Sequence, residues 1–192
     1  MRIRIDLKIF IFLIIFYFTN QLWIYFLVMF FSVLHEIGHI IVGLLLKMKP
    51  EKIEIMPFGL RVSFYTNFED KNIKLKEIFV TIAGPLTSLA LAILCTTQEA
   101  IYSNILILLF NIIPIYPLDG GRIVKAILHM KFGVVKSESL INKISYITMI
   151  IVTVISSIGV YYYKNVAIFL ICIFLWIMLL QEKNDKTLAI LQ

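Results

Sequence analysis

The chain has 192 residues, of which 60% are hydrophobic and only 16% charged, and its mean hydropathy is +0.94. A soluble domain carries about 45–50% apolar and about 25% charged residues, so a water-soluble globule is excluded, and a disordered chain more firmly still. The net charge of +6 invites a nucleic-acid partner, but the placement of the charges argues otherwise.

Six apolar runs follow in chain order, at about Ile9–Phe18, Leu22–Leu46, Ile78–Leu94, Ile101–Leu128, Ile144–Tyr161 and Val166–Leu180. A helical span needs about 20 residues, so the first run is short. Met1–Lys8 followed by that run resembles a signal peptide, but no small-x-small cleavage site comes after it. An uncleaved first span is expected. The predicted fold is an all-α polytopic membrane protein of about six transmembrane helices, forming a single domain over 1–192. Seventeen of the 18 Lys and Arg then fall on one side, leaving Lys164 alone on the other. That asymmetry places both termini in the cytoplasm and accounts for the basic charge without direct nucleic-acid binding. Trp176 and Tyr161–Tyr163 are expected at the membrane interfaces.

Between the second and third runs, Lys52–Tyr65 alternates apolar and polar residues and is interrupted at Pro57–Gly59. The pattern predicts a short cytoplasmic-side β-hairpin between helices 2 and 3. Its edge is expected to pair with an extended substrate strand, with Arg61 or Ser63 near the groove. A hairpin that merely rests on the membrane is the simpler alternative. Cys95 and Cys172 lie in apolar runs and form neither a disulfide framework nor a metal cluster.

The second run contains His35-Glu36-Ile37-Gly38-His39. Positions i and i+4 share one helix face, so both imidazoles can reach one ion. Glu36, beside the first of them, can take a proton from an activated water, the arrangement of HExxH zinc hydrolases. Catalytic zinc normally takes three protein ligands. The only other acid within an apolar run is Asp119, in Asn111-Ile-Ile-Pro-Ile-Tyr-Pro-Leu-Asp-Gly-Gly-Arg122. Pro114 and Pro117 break the helical ladder there, and a broken helix at membrane depth should line a cavity. His39 lies seven residues before Leu46 and Asp119 nine before Leu128. Those spacings put them about 10 and about 14 Å from the cytoplasmic ends of their runs. A plain i,i+3 ion pair with Arg122 is the alternative for Asp119. Asn111 is expected to satisfy backbone freed by the prolines or to meet substrate or water. His129 is expected at the interface rather than as a ligand.

HEIGH in the second span, Ala83-Gly84-Pro85 opening the third and NIIPIYPLDGGR in the fourth together resemble the site-2 metalloprotease family of intramembrane zinc proteases. The short Met56-Pro-Phe-Gly59 turn is most similar to the sporulation branch of that family. The resemblance implies one Zn²⁺ held by His35, His39 and Asp119, with Glu36 as catalytic base. It implies a membrane-associated protein substrate, a sigma-factor precursor in the sporulation branch, and membrane proteins acting as inhibitors. The location would be a bacterial cytoplasmic-type membrane, and the membrane around the forespore for the sporulation branch. Ser88 stands where many members have an Asn that contacts substrate, so it joins Asn111, Arg61 and Ser63 as a substrate-binding candidate. No PDZ or CBS domain is visible. The alternatives are the same chemistry on an anti-sigma factor or remnant signal peptide, a non-enzymatic metal transporter or binding protein, and an inactive scaffold. Transport chains place polar groups along a path, whereas these cluster at one depth.

Overall fold

The computed structural model describes residues 2–5, 8–18, 20–56, 59–64, 72–163 and 172–181. These residues are mostly helical. They fall into two compact units, Met1–Ile112 and Ile113–Gln192.

The first unit runs β1 (Arg2–Ile5), α1 (Lys8–Phe18), α2 (Leu22–Leu45), β2 (Pro50–Met56), β3 (Gly59–Phe64), α3 (Ile73–Leu94) and α4 (Gln98–Ile112). The zinc-motif helix α2 turns one stripe inward, burying Phe31, Ser32, His35, Gly38, His39 and Gly43. That spacing is the 3.6-residue helical period. Its opposite face leaves Ile37, Ile41 and Leu45 exposed, an apolar exterior suited to lipid rather than water. The helix ends in a Schellman motif. Lys47 adopts a positive φ of 59°. The Lys47 N–H bonds to Leu44 O at 2.9 Å and the Met48 N–H to Gly43 O at 2.8 Å. Met48 is thereby carried into the core beside Val62, Phe64, Ile73 and Val80.

β2 and β3 form an antiparallel hairpin in which Ile53 faces Val62, Glu54 faces Arg61 and Ile55 faces Leu60. Val62 and Phe64 share one face of β3 by the two-residue period, and both are buried against α2 and α3. Phe64 can approach because position 43 is glycine: a Cβ there would lie 2.5 Å from Phe64 Cζ. The sheet exceeds the predicted hairpin by one strand. β1 pairs in parallel with β2, Arg2 with Lys52 and Ile5 with Ile55, giving the order β1-β2-β3. Four residues with a partner some fifty positions downstream carry too little local pattern to announce a strand.

α2 and α3 pack through reciprocal small residues. Gly38 on α2 faces the Thr87 side chain and Ala83 O of α3, while Gly84 on α3 faces the two histidine rings of α2. Two turns before Gly38 on the same stripe of α2, Phe31 packs with Ala100 and Ile107 of α4. Ser103 and Asn104 of α4 bond back to Glu99 O and Ala100 O, four residues before each. In this way the helix carbonyls take up these side-chain donors.

The second unit contains α5 (Asp119–Phe132), α6 (Val134–Tyr163) and α7 (Cys172–Gln181). The predicted fourth run is therefore two helices, α4 and α5, separated at the proline-bearing segment Ile113–Leu118. Gly133, with φ 78°, turns the chain from α5 to α6. Ser137, Ile141, Ser145 and Met149 form the buried stripe of α6, each fully inaccessible. Trp176 of α7 donates its indole N–H to Thr153 Oγ1 of α6 at 3.0 Å, so this residue ties two helices together. Among the described helices, α2, α3 and α6 are long and apolar enough to cross a membrane.

Candidate metal centre

The site starts from the antiparallel contact of α2 with α3. His35 and His39 are each only 2% exposed. Their rings meet edge to face, with centroids 4.9 Å apart and an interplanar angle of 84°. Each ring is held by α3 through Nδ1. His39 Nδ1 lies 2.7 Å from Val80 O, and His35 Nδ1 lies 2.9 Å from Ser88 Oγ. Val80, Gly84 and Ser88 are four residues apart and share one face of α3. The middle position completes the arrangement. A Cβ built on Gly84 would stand 2.6 Å from His35 Nε2 and closer still to His39 Nε2. Both Nε2 nitrogens therefore converge over the glycine backbone, in a hollow that any side chain would fill.

This donor set suits a borderline-soft divalent ion. Metal-ligating histidines use one ring nitrogen for the ion and donate the other N–H to a carbonyl or polar group, which fixes ring orientation and tautomer. Here both Nδ1 atoms have such partners, and both Nε2 atoms face one point. Zinc takes imidazole nitrogens at about 2.0–2.1 Å in this manner. Glu36, half-buried, follows His35 on the same helix.

Asp119 belongs to the second unit. It is the first residue of α5 and only 5% exposed. A carboxylate in the first turn is favoured by the exposed N–H groups and dipole of the helix start. The preceding segment is shaped by its prolines: Leu118 N–H bonds to Ile115 O at 2.8 Å, and Tyr116 N–H donates to the buried Ser145 hydroxyl of α6 at 3.0 Å. Gly121 is needed because the backbone of Ile115 and Tyr116 passes directly over it. Arg122 Nη1 lies 3.5 Å from Asp119 Oδ1, a long and partly exposed contact. Lys125 pairs with Glu138 of α6 and sits over the Tyr116 ring at 4.6 Å.

The remaining candidates are distributed. Asn111, in the last turn of α4, donates to Ile107 O at 3.0 Å, satisfying helix backbone. Ser88 is fully buried beside His35. Arg61 and Ser63 lie on β3 opposite Glu54 and Lys52, and their side chains fall outside the described residues. His129 is half-buried near the C-terminal end of α5. The contributions of Val80 O and of Gly84 as the floor of the hollow escape sequence reasoning. A carbonyl contact leaves no mark on residue type, and the Ala-Gly-Pro triplet alone does not say what the glycine faces.

The family model described as Peptidase family M50 matches residues 23–99 and 96–155. A zinc metalloprotease of Methanocaldococcus jannaschii is 34% identical over 131 residues, covering 60% of this chain and 37% of that protein. Stage IV sporulation protein FB of Bacillus subtilis is 32% identical over 103 residues, covering 47% of this chain and 35% of that one. The chain thus matches about a third of the length of these curated relatives. Among solved structures, the site-2 protease from Methanocaldococcus jannaschii superposes with a TM-score of 0.68 at 28% identity, covering 94% of this chain and 89% of that one. With most of its length matched by the family model and its structure shared with a site-2 protease, the chain belongs to peptidase family M50.

Proposed function

We propose that this chain is an intramembrane zinc endopeptidase that cleaves a membrane-associated protein near the cytoplasmic face. The observation that carries the proposal is the convergence of two buried Nε2 nitrogens, each backed by a hydrogen bond at Nδ1. One Zn²⁺ per chain would be held by His35, His39 and Asp119. When bound, the ion supplies Lewis acidity that lowers the pKa of a water toward about 7 and polarises a carbonyl. Glu36 accepts the proton released by the attacking water and delivers it to the amide nitrogen as the C–N bond breaks. The low-dielectric setting of α2 and α3 strengthens each of these electrostatic contacts.

Six spans with both termini in the cytoplasm remain the topology that the basic residues support. The substrate we favour is a sporulation sigma-factor precursor, supported by the likeness to stage IV sporulation protein FB. A helical substrate has its carbonyls committed to i→i−4 bonds and must unwind before attack. β3, at one end of the sheet order, offers main-chain groups to such an extended segment. The test is co-expression of the chain with a candidate sigma-factor precursor, comparing the parent with Glu36→Gln. Cleavage by the parent alone is expected. Equal cleavage by Glu36→Gln would remove Glu36 as the base.

A further inference from the structure

α3 treats the two histidines differently. Val80 contributes a main-chain carbonyl, which only accepts. The His39 hydrogen must therefore sit on Nδ1, leaving the Nε2 lone pair directed into the hollow over Gly84. Ser88 contributes a hydroxyl, which both donates and accepts. It can bond to His35 Nδ1 whether that nitrogen carries hydrogen or a lone pair. Ser88 is also 0% exposed, so it presents no surface to a substrate.

We infer that Ser88 is a positioning residue for His35: its hydroxyl holds the ring in place through either tautomer, while Val80 O keeps His39 permanently in the ligating one. This inference rests on the metal-centre reading above. It orders metal capture. His39 is set before an ion arrives. His35 joins by losing the hydrogen at Nε2 and gaining one at Nδ1, so its proton count is unchanged. Ser88 then changes from donor to acceptor without moving its oxygen. An apolar residue at 88 would leave His35 Nδ1 without that partner in a buried site, and the ring would lose its fixed orientation.

The experiment uses the full chain in detergent, as the parent, Ser88→Ala and Ser88→Thr. Zinc affinity is read by competition with a chelator, and ligand geometry by the visible spectrum of the Co²⁺-loaded protein. Ser88→Ala should bind zinc about 10–100-fold more weakly, the usual cost of deleting an outer-shell partner. Its cobalt spectrum should shift, and Ser88→Thr, which keeps the hydroxyl, should recover both. Parental affinity with a parental spectrum in Ser88→Ala overturns the inference. A second measurement does not depend on the variants folding: ¹⁵N-histidine NMR of the metal-free parent. It should show His39 protonated only at Nδ1 and His35 in both tautomers. A single fixed tautomer at His35, or Nε2–H at His39, also overturns it. A parent that binds no zinc overturns the metal reading itself, and the metal-free NMR result still judges the tautomer assignment separately.

Discussion

Replacing Gly84 with alanine gives the most direct test of the hollow between α2 and α3. In an open helix the exchange gains about 1 kcal/mol in helix propensity. At this position the new methyl would lie 2.6 Å from His35 Nε2, where ordinary contact begins at 3.4 Å. The His35 ring must therefore retreat by about 0.8 Å, and the His39 ring by more. Neither can swing away freely, because Val80 O and Ser88 Oγ hold the opposite nitrogens. Overpacking of this kind costs about 1–3 kcal/mol, partly offset by the propensity gain, so the fold should survive. The metal should not, since ligand distances tolerate only about 0.2 Å. Zinc content after equilibration with a chelator of known affinity should show a loss of at least about 100-fold, beyond the usual range for outer-shell damage. Circular dichroism should stay that of the parent. If Gly84→Ala holds zinc as tightly as the parent, the nitrogens do not converge on the metal over Gly84 and the site has been misread.

Asp119→Ala should remove tightly bound zinc while leaving α5 helical, and metal analysis of the purified variant decides; full occupancy would strike Asp119 from the ligand set. Lys47→Gly should raise stability by about 0.5–1 kcal/mol in a denaturant titration, because Lys47 is exposed and holds a positive φ that glycine adopts without penalty. Gly133→Ala should lower it by about 1–3 kcal/mol, since φ 78° with ψ 174° is a region open almost only to glycine. Reporters fused after Leu46 and within Thr96–Glu99 should report opposite sides of the membrane, the first cytoplasmic; matching signals would refute the proposed orientation.

The convergence of the two histidines on α2 was legible because its message is local. His35 and His39 share a face by spacing alone, and an acid inside an apolar run demands a purpose. The hairpin was legible for the same reason, its alternation placing Val62 and Phe64 on one face. What escaped was non-local or chemical rather than compositional. β1 is defined by a partner far along the chain. α6 begins at Val134, ten residues ahead of the apolar run at Ile144, because Lys136, Glu138 and Lys143 hid its first turns from a hydropathy reading. The prolines marked the break between α4 and α5, yet hydropathy alone drew one run through it. Ser88 stood out only by its place three residues after the Gly-Pro pair, and its 2.9 Å contact with His35 is a non-local one that residue type does not announce.

The parallel strand at the start of the chain imposes a rule of parity. β1 precedes α1, β2 follows α2, and the two lie side by side in one sheet. Strands in one sheet share one side of a bilayer, so the chain between Ile5 and Pro50 crosses an even number of times. α2, with 24 residues, covers about 36 Å, long enough for the one crossing it makes in the topology proposed above. In that topology the return would fall to α1, whose 11 residues cover only about 17 Å of a hydrocarbon layer about 30 Å thick. A bilayer meets so short a segment by thinning around it. The lipid beside α1 would then be pinched, and water would stand nearer to the buried imidazoles of α2 without any pore through the helices.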